Sequence, residues 1–400
     1  MSFVKASVRD AEVEGRRVLD RVDFNVPLER GRVVDDSRIR AALPTIDLLR
    51  DRGAGVILVS HLGRPEGPDP ELSMKPVAVR LGELLGTEVR MAPAVVGPEV
   101  EAIAEELGPG DLLMLENSRF EPGETADDPE LAAGLARLAD VYVNDAFGAA
   151  HRAHATTTGV ARLLPAYAGL LLEREVTELA AVRDDPTRPL RLVLGGAKVK
   201  DKIGVIQRFL EVADRIMIGG AMAYSFFKWR GTPVGNSLVD DESVEAAGRI
   251  LDQSARSASE LMLPVDLVLG RELAAETERR EVQGVEVPDG WMGLDIGGRT
   301  AAAYAEAIRE AGTVLWNGPM GAFELPPFAA GTRAIAEAIA EAPGTTVAGG
   351  GDSVAALDQF GLTDRLDWVS TGGGASLELL EGRDLPGVEA LQDRQAAGSR

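Results

Sequence analysis

The feature that most limits the fold is a rhythm, in which short apolar runs alternate with longer helix-like segments along the chain. In the first half the runs are residues 18–26, 56–60, 112–116 and 141–145, and the segments are 39–52, 76–85, 99–107 and 129–138. Strand, helix, strand in that order implies a parallel sheet covered on both faces. In such sheets ligands collect beyond the carboxyl ends of the strands, so the residues that follow each run are the ones that carry chemistry. The rhythm pauses at an amphipathic helical stretch, 170–183, with Leu172, Val176, Leu179 and Val182 as its stripe. It resumes after Asp184-Asp185-Pro186 with runs at 190–194, 215–218, 263–269, 313–316, 345–348 and 366–370. At 400 residues the chain is too long for one compact core. The expectation is two doubly wound α/β domains, 1–170 and 186–388, with 171–185 as the helix between them.

The second half adds glycines at nearly every strand end: Gly195-Gly196, Gly219-Gly220, Gly318, Gly349-Gly350-Gly351-Asp352-Ser353 and Gly372-Gly373-Gly374. Backbone without side chains lets a ligand come close. None of these matches the phosphate loop of nucleoside triphosphatases or the dinucleotide fingerprint G-x-G-x-x-G, which disfavours a nicotinamide dehydrogenase. Asp352 and Ser353 suit a helix N-cap, and also an amide-rich phosphate site with one carboxylate for magnesium.

The chain has only six lysines, and three of them, Lys198, Lys200 and Lys202, follow Gly195-Gly196. A helix starting near Ala197 would put Lys198 and Lys202 on one face and swing Lys200 away. The cluster reads either as a solvated basic turn or as a phosphate cradle. Either way it stands out against a formal charge of -22, which argues against nucleic acid and anionic membranes as partners. Zero cysteines exclude disulfides and thiolate catalysis, and with a polar amino terminus the chain reads as cytoplasmic.

In the first half, cations gather where the runs end. Asp23 and Asn25 precede Pro27, a place that also suits turn chemistry. Arg38 follows Asp35-Asp36 at a helix start, where a cation opposes the dipole, so pairing with those aspartates is the structural explanation. His61, Arg64, Arg119, His151, Arg152 and His154 follow the next runs. A metal site from His151, His154 and His61 lacks a carboxylate at matching spacing, and an oxyanion pocket explains the arginines better. Asp20 falls on the apolar side of its strand, unexpected for a buried position.

Taken together, Arg21-Val22-Asp23-Phe24-Asn25-Val26-Pro27, Ser60-His61-Leu62-Gly63-Arg64-Pro65, His151-Arg152-Ala153-His154-Ala155, Gly195-Gly196-Ala197-Lys198, Trp316-Asn317-Gly318-Pro319-Met320-Gly321, Gly350-Gly351-Asp352-Ser353 and Ser370-Thr371-Gly372-Gly373-Gly374-Ala375-Ser376 resemble phosphoglycerate kinase, in order and over essentially the whole chain. The resemblance implies reversible, magnesium-dependent phosphoryl transfer from 1,3-bisphosphoglycerate to ADP, giving 3-phosphoglycerate and ATP. It implies a monomer that closes a cleft between its domains about the hinge helix, with 389–400 returning to the first domain. Asp23, Asn25, Arg38, His61, Arg64, Arg119 and Arg152 would hold the glycerate and its phosphate. Lys202, Gly293, Asn317, Glu324, Gly350, Gly351, Asp352 and Ser353 would hold the nucleotide, Glu324 at the ribose and Asp352 at the metal. Arg38, Lys198 and the amides of Gly372 and Gly373 would surround the phosphoryl group in transit. The family usually carries an apolar residue where Asp20 stands, an uncharged one at Lys200, proline at Gly298 and valine at Ser118. A non-catalytic two-domain binding protein is the remaining rival from another class.

Overall fold

The computed structural model describes residues 3–394. The chain divides into two compact units, Ser2–Thr177 with Asp384–Arg400, and Glu178–Arg383. The division falls inside a helix rather than at its end, and the chain re-enters the first unit at Asp384 rather than at 389. Of the expected tail, residues 395–400 lie outside the described residues. The part before them joins the first unit through Ala6 N–H to Gln392 O (2.8 Å), Arg394 N–H to Val4 O (2.8 Å) and Lys5 Nζ to Asp393 Oδ1 (2.9 Å).

The first unit contains strands β1 (Arg17–Arg21), a short hairpin β2 (Leu28–Glu29) and β3 (Arg32–Val33), β4 (Gly55–Val59), β5 (Arg90–Met91), β6 (Leu112–Met114), β7 (Val141–Asn144) and β8 (Ala166–Ala168). Its main sheet runs β5-β6-β4-β1-β7-β8, all pairs parallel. Helices α1 (Ser37–Asp51), α2 (Lys75–Leu85), α3 (Pro98–Glu105) and α4 (Pro129–Arg137) supply the crossovers. On β1 and β4 nearly every residue is buried, because a central parallel strand is covered on both sides and alternation no longer separates core from solvent. Val18, Ile46, Leu49, Val56, Leu58 and Leu81 belong to one core between β1, β4 and the helices. β1 is shorter than its apolar run. Beyond Val22, whose N–H still reaches Val59 O (3.1 Å), local bonds take over, with Asn25 N–H on Asp23 Oδ1 (3.4 Å) and Val26 N–H on Phe24 O (2.9 Å). The unit ends in α5 (Leu170–Asp184), whose first amides donate to Thr45 Oγ1 from Leu170 (2.9 Å) and to Asp145 Oδ1 from Leu171 (2.8 Å) and Leu172 (3.2 Å).

The second unit contains β9 (Leu190–Leu194), β10 (Arg215–Ile218), β11 (Glu260–Met262), β12 (Leu267–Gly270), β13 (Arg279–Val282), β14 (Met292–Ile296), β15 (Thr313–Asn317), β16 (Thr345–Gly349) and β17 (Trp368–Ser370). Its main sheet, β11-β10-β9-β15-β16-β17, is again parallel. The single strand expected over 263–269 is corrected: Pro264, which has no N–H for a ladder, separates edge strand β11 from β12. β12 instead centres a small antiparallel sheet, β13-β12-β14. Helices α6 (Ile203–Phe209), α7 (Ala223–Trp229), α8 (Asp241–Ser254), α9 (Gly298–Arg309), α10 (Ala330–Ala340), α11 (Gly351–Phe360) and α12 (Gly374–Leu380) complete it, and α13 (Pro386–Glu389) lies in the first unit. The helix expected from Ala197 is also corrected, since α6 begins at Ile203 and the lysines occupy a turn before it.

Candidate functional site

In the first unit the expected residues cluster at the carboxyl ends of β1, β4, β6 and β7. Asp23 and Arg38 form an ion pair, so the cation at the start of α1 is matched by Asp23 and not by the aspartates beside it. Asp36 binds Arg40 (2.8 Å) and Arg80 (2.7 Å) instead. Burial pushes the Asp23 carboxyl up, but Arg38 and Arg21 outweigh burial and hold it below the usual carboxylate range. A Cβ on Gly148 would stand 2.5 Å from Asp23 Oδ2, so the chain can cross this pair only at a glycine. Asn25 Oδ1 accepts from Gly63 N (2.9 Å), and Gly63 O accepts from Arg119 Nη1 (2.6 Å), which ties the His61–Arg64 loop to β1 on one side and to the turn after β6 on the other.

Arg64, Arg119 and Arg152 line one pocket of about 370 Å³. Burial, then the neighbouring Arg152, Arg21 and Arg64, pull the Arg119 pKa down, and its Nε has no protein partner among the described residues. Crowded guanidiniums of this kind, one with a buried donor open, suit an oxyanion. His61 stands beside this group, with Arg21, Asp23, Arg119 and Arg38 as its charged neighbours. Arg21 Nη2 lies 3.1 Å from His61 Nδ1, and because a guanidinium only donates, Nδ1 must accept and Nε2 carries the proton. Burial and then Arg21 lower the His61 pKa to about 3, so the ring is a neutral donor.

Sequence reasoning missed the support behind His61. Arg21 is fully buried and donates from Nε to Thr156 Oγ1 (2.9 Å), and Thr156 in turn bonds Glu124 through its hydroxyl (2.5 Å) and amide (3.0 Å). Glu124 also faces His154 Nδ1 at 3.7 Å. Arg21 stood in a quoted motif and could have been found; Glu124, one of four acids in the loop 121–128, gave no signal. His154 thus serves this network, and among the described residues no three His, Asp or Glu side chains come together as a metal cage.

In the second unit the strand ends of β9, β15 and β16 form one bonded group. Lys202 Nζ donates to Gly195 O (2.7 Å) and Asn317 O (2.8 Å), Asn317 Nδ2 donates to Gly349 O (2.9 Å), and Gly318 N donates to Ser353 Oγ (2.6 Å). Desolvation lowers the Lys202 pKa to about 8, against the pull of Asp352 and Asp201. Trp316, fully buried on β15, donates from Nε1 to Gly318 O (2.8 Å) and so fixes the turn that follows. Gly350 (φ +90°) lies against Asn317 and precedes α11, where Gly351 and Asp352 open the first turn. Gly293, Glu324 and Asp352 line a cavity of about 330 Å³ together with Gly196, Tyr224 and Asp295. Gly372 and Gly373 lead into α12, Gly373 with φ +54°. Lys198 is exposed on the turn, while Lys200 pairs with Glu242 at 2.5 Å on the solvent side. The three lysines are therefore inequivalent: one caged, one open, one paired.

Two parallel sheets, one ending in guanidiniums and the other in glycines around a caged lysine, define an α/β enzyme that handles phosphorylated small molecules. A family model described as phosphoglycerate kinase matches residues 8–383. Curated phosphoglycerate kinases of Rubrobacter xylanophilus (56% identical over 392 residues, 98% of this chain and 99% of theirs) and Roseiflexus castenholzii (54% over 394 residues, 98% and 100%) are similar along their whole length. Among solved structures, the phosphoglycerate kinase of Coxiella burnetii superposes with a TM-score of 0.87 at 38% identity, covering 96% of this chain and 98% of that one. That of Pyrococcus horikoshii gives 0.85 at 33%, with the same coverage. The chain belongs to the phosphoglycerate kinase family, and it is a phosphotransferase.

Proposed function

We propose that the chain transfers the acyl phosphate of 1,3-bisphosphoglycerate to ADP, and in reverse phosphorylates 3-phosphoglycerate with ATP. The observation that carries the substrate side is the convergence of Arg64, Arg119 and Arg152 on one pocket, with neutral His61 held by Arg21 on the Arg119 side. A phosphate takes the guanidinium forks, and the His61 Nε2 proton and Asn25 serve the glycerate. On the nucleotide side Lys202 and the amides of Gly350 and Gly351 receive phosphates, Gly293 flanks the base, and Glu324 and Asn317 orient the ribose and its phosphates. The Asp352 carboxylate, exposed in the first turn of α11, fits a hard divalent cation that takes one protein carboxylate and completes its shell with phosphate and water. Magnesium bound there would supply positive charge to the β- and γ-phosphate oxygens.

The acceptor in the reverse direction is a carboxylate, already ionised at neutral pH, so no general base is needed. The chain's contribution is placement and charge: Arg38, Lys198 and the amides of Gly372 and Gly373 neutralise the oxygens of the moving phosphoryl group. Transfer requires the ligands of the two units to meet in line, which we assign to bending about α5. We further read the chain as a cytoplasmic monomer, in keeping with its acidic, cysteine-free composition. A coupled assay should record ATP consumption that depends on both 3-phosphoglycerate and magnesium. Folded protein that consumes no ATP would overturn the reading.

A further inference from the structure

Asp295 was singled out by no motif, yet it lies where the pieces of the cavity wall join. It is buried on β14, two residues beyond Gly293. Its Oδ2 accepts from Gly331 N (2.7 Å) in the first turn of α10, and its Oδ1 accepts from Ile296 N (2.9 Å). The chain crosses the carboxylate twice at glycines: a Cβ on either Gly321 or Gly331 would stand 2.3 Å from Oδ1. The crossing segment is the one that leads from Pro319 to Glu324. It is docked on the same strand by Ala322 N–H to Leu294 O (2.8 Å), and on α10 by Met320 N–H (3.1 Å) and Gly321 N–H (3.2 Å) to Thr332 Oγ1. A single carboxylate thus sits between the strand of Gly293, the segment of Glu324 and the helix behind them.

We propose that Asp295 is a positioning residue for the nucleotide, tying these three pieces of wall together, and that its ionisation sets how firmly the wall closes on the nucleoside. The proposal rests on the reading of this cavity as the nucleotide site. Chemistry gives the sign. As a carboxylate, Asp295 offers full acceptor strength to the Gly331 amide and to its own strand; a proton on either oxygen weakens that tie. Burial raises its pKa to about 7, against the amides of Gly331 and Ile296 and the charge of Arg279 on β13, so the change falls within the working range of pH. The other ionisable groups facing the region are the Tyr224 phenol of α7, which burial keeps neutral, Glu324 and Asp352 across the cavity, and Lys202, whose amine is held by Gly195 O and Asn317 O behind Gly196 and gives up its proton toward pH 8. If the wall closes better on the carboxylate form, a bound nucleoside lowers the Asp295 pKa, and by reciprocity affinity rises with pH.

The probe is adenosine, because it lacks phosphates that titrate in the same range. In calorimetric titrations of the intact protein, adenosine should bind a few-fold more tightly at about pH 8 than at about pH 6. Asp295→Asn, which can still accept from Gly331 but cannot ionise, should lose most of that ratio, what remains being the share of Lys202, which both proteins carry. Thr332→Val should weaken binding at both pH values and keep the ratio between them, so the pH response is tied to Asp295 and not to the wall in general. Wild-type affinity that does not change with pH, or an Asn variant that keeps the wild-type ratio, overturns the proposal and leaves the nucleotide site standing. Adenosine that fails to bind the wild type at either pH overturns the site assignment and the proposal with it.

Discussion

Asp20 is a fully buried acid on β1, and neither of its oxygens has a hydrogen-bond partner among the described residues. It pairs in register with Leu58 and Val143, so Asp145, two residues beyond Val143 on the neighbouring strand, projects from the same face. Asp145 has work to do, since its Oδ1 caps α5, whereas Asp20 adds only an acid beside it. Burial, and then Asp145, raise the Asp20 pKa well above the ordinary value, with Arg21 opposing. The sign follows. The folded state holds a proton that the unfolded chain releases near about pH 4, so the folded state loses stability as pH rises from there toward the raised pKa. Asp20→Val should therefore stabilise the protein, by about 1–3 kcal/mol at pH 8 and by less at pH 5. Urea unfolding at the two pH values measures it, and a gain of the same size at both would refute the account. The sequence flagged Asp20 as out of place on an apolar face but could not reveal its partner, because the contact depends on how β1 and β7 are aligned. Arg21 stood in a quoted motif, yet its role was not legible there. A central parallel strand buries both faces, so an arginine that alternation assigns outward is enclosed and orients His61.

At the scale of elements, the apolar runs located the inner strands of both main sheets, because central parallel strands need continuous burial and cannot hide it, whereas the edge strands β5, β8 and β11 and the antiparallel strands β13 and β14 left no such run. Two of the expected elements came out differently, both for local reasons. Pro264 split one run between two sheets. The lysine stretch stayed a turn because Lys202 commits its amine to the carbonyls of Gly195 and Asn317, which holds the chain away from helical geometry until Ile203. The glycine-ended strands carry the clearest requirement. A Cβ on Gly195 would lie 1.9 Å from Pro319 O and 2.7 Å from Gly318 O, both of them backbone atoms that cannot swing aside. Gly195→Ala must push the end of β9 from the turn after β15. That breaks the bonds from Gly195 N to Asn317 O (3.0 Å) and from Gly196 N to Pro319 O (3.0 Å) that set the Lys202 cage. The expected result is a loss of about 2–4 kcal/mol in thermal or urea unfolding, the range of overpacked and unsatisfied sites, with ADP affinity falling about tenfold or more. Gly284→Ala is the control: nothing lies within 4 Å of a Cβ there, so stability should not change. Equal stability of the two variants would show that β9 and the turn separate without penalty.

For the whole molecule, the two groups of site residues belong to different compact units. Arg38 and its partner Asp23 fall within Ser2–Thr177, while Lys202, Asn317 and Asp352 fall within Glu178–Arg383. Each ligand then has its own binding energy, and only the transfer step draws on both units. Arg38 separates the two kinds of effect. Removing its guanidinium takes positive charge from the phosphoryl group in flight, a loss on the order of 10³-fold or more in kcat for arginines in that role. The nucleotide group in the other unit keeps every bond described for it, so ADP affinity in Arg38→Ala should stay within a few-fold of wild type. Structure in the first unit should also persist, because Asp23 retains the neighbouring Arg21 charge and the substitution lies at the first turn of α1, with its side chain a third exposed. Steady-state turnover and ADP titration on the same preparation, with a melting curve to check the fold, make the comparison. A variant that loses turnover and ADP binding together would place Arg38 in the structure of the nucleotide site, and one that keeps turnover would remove it from the transfer step.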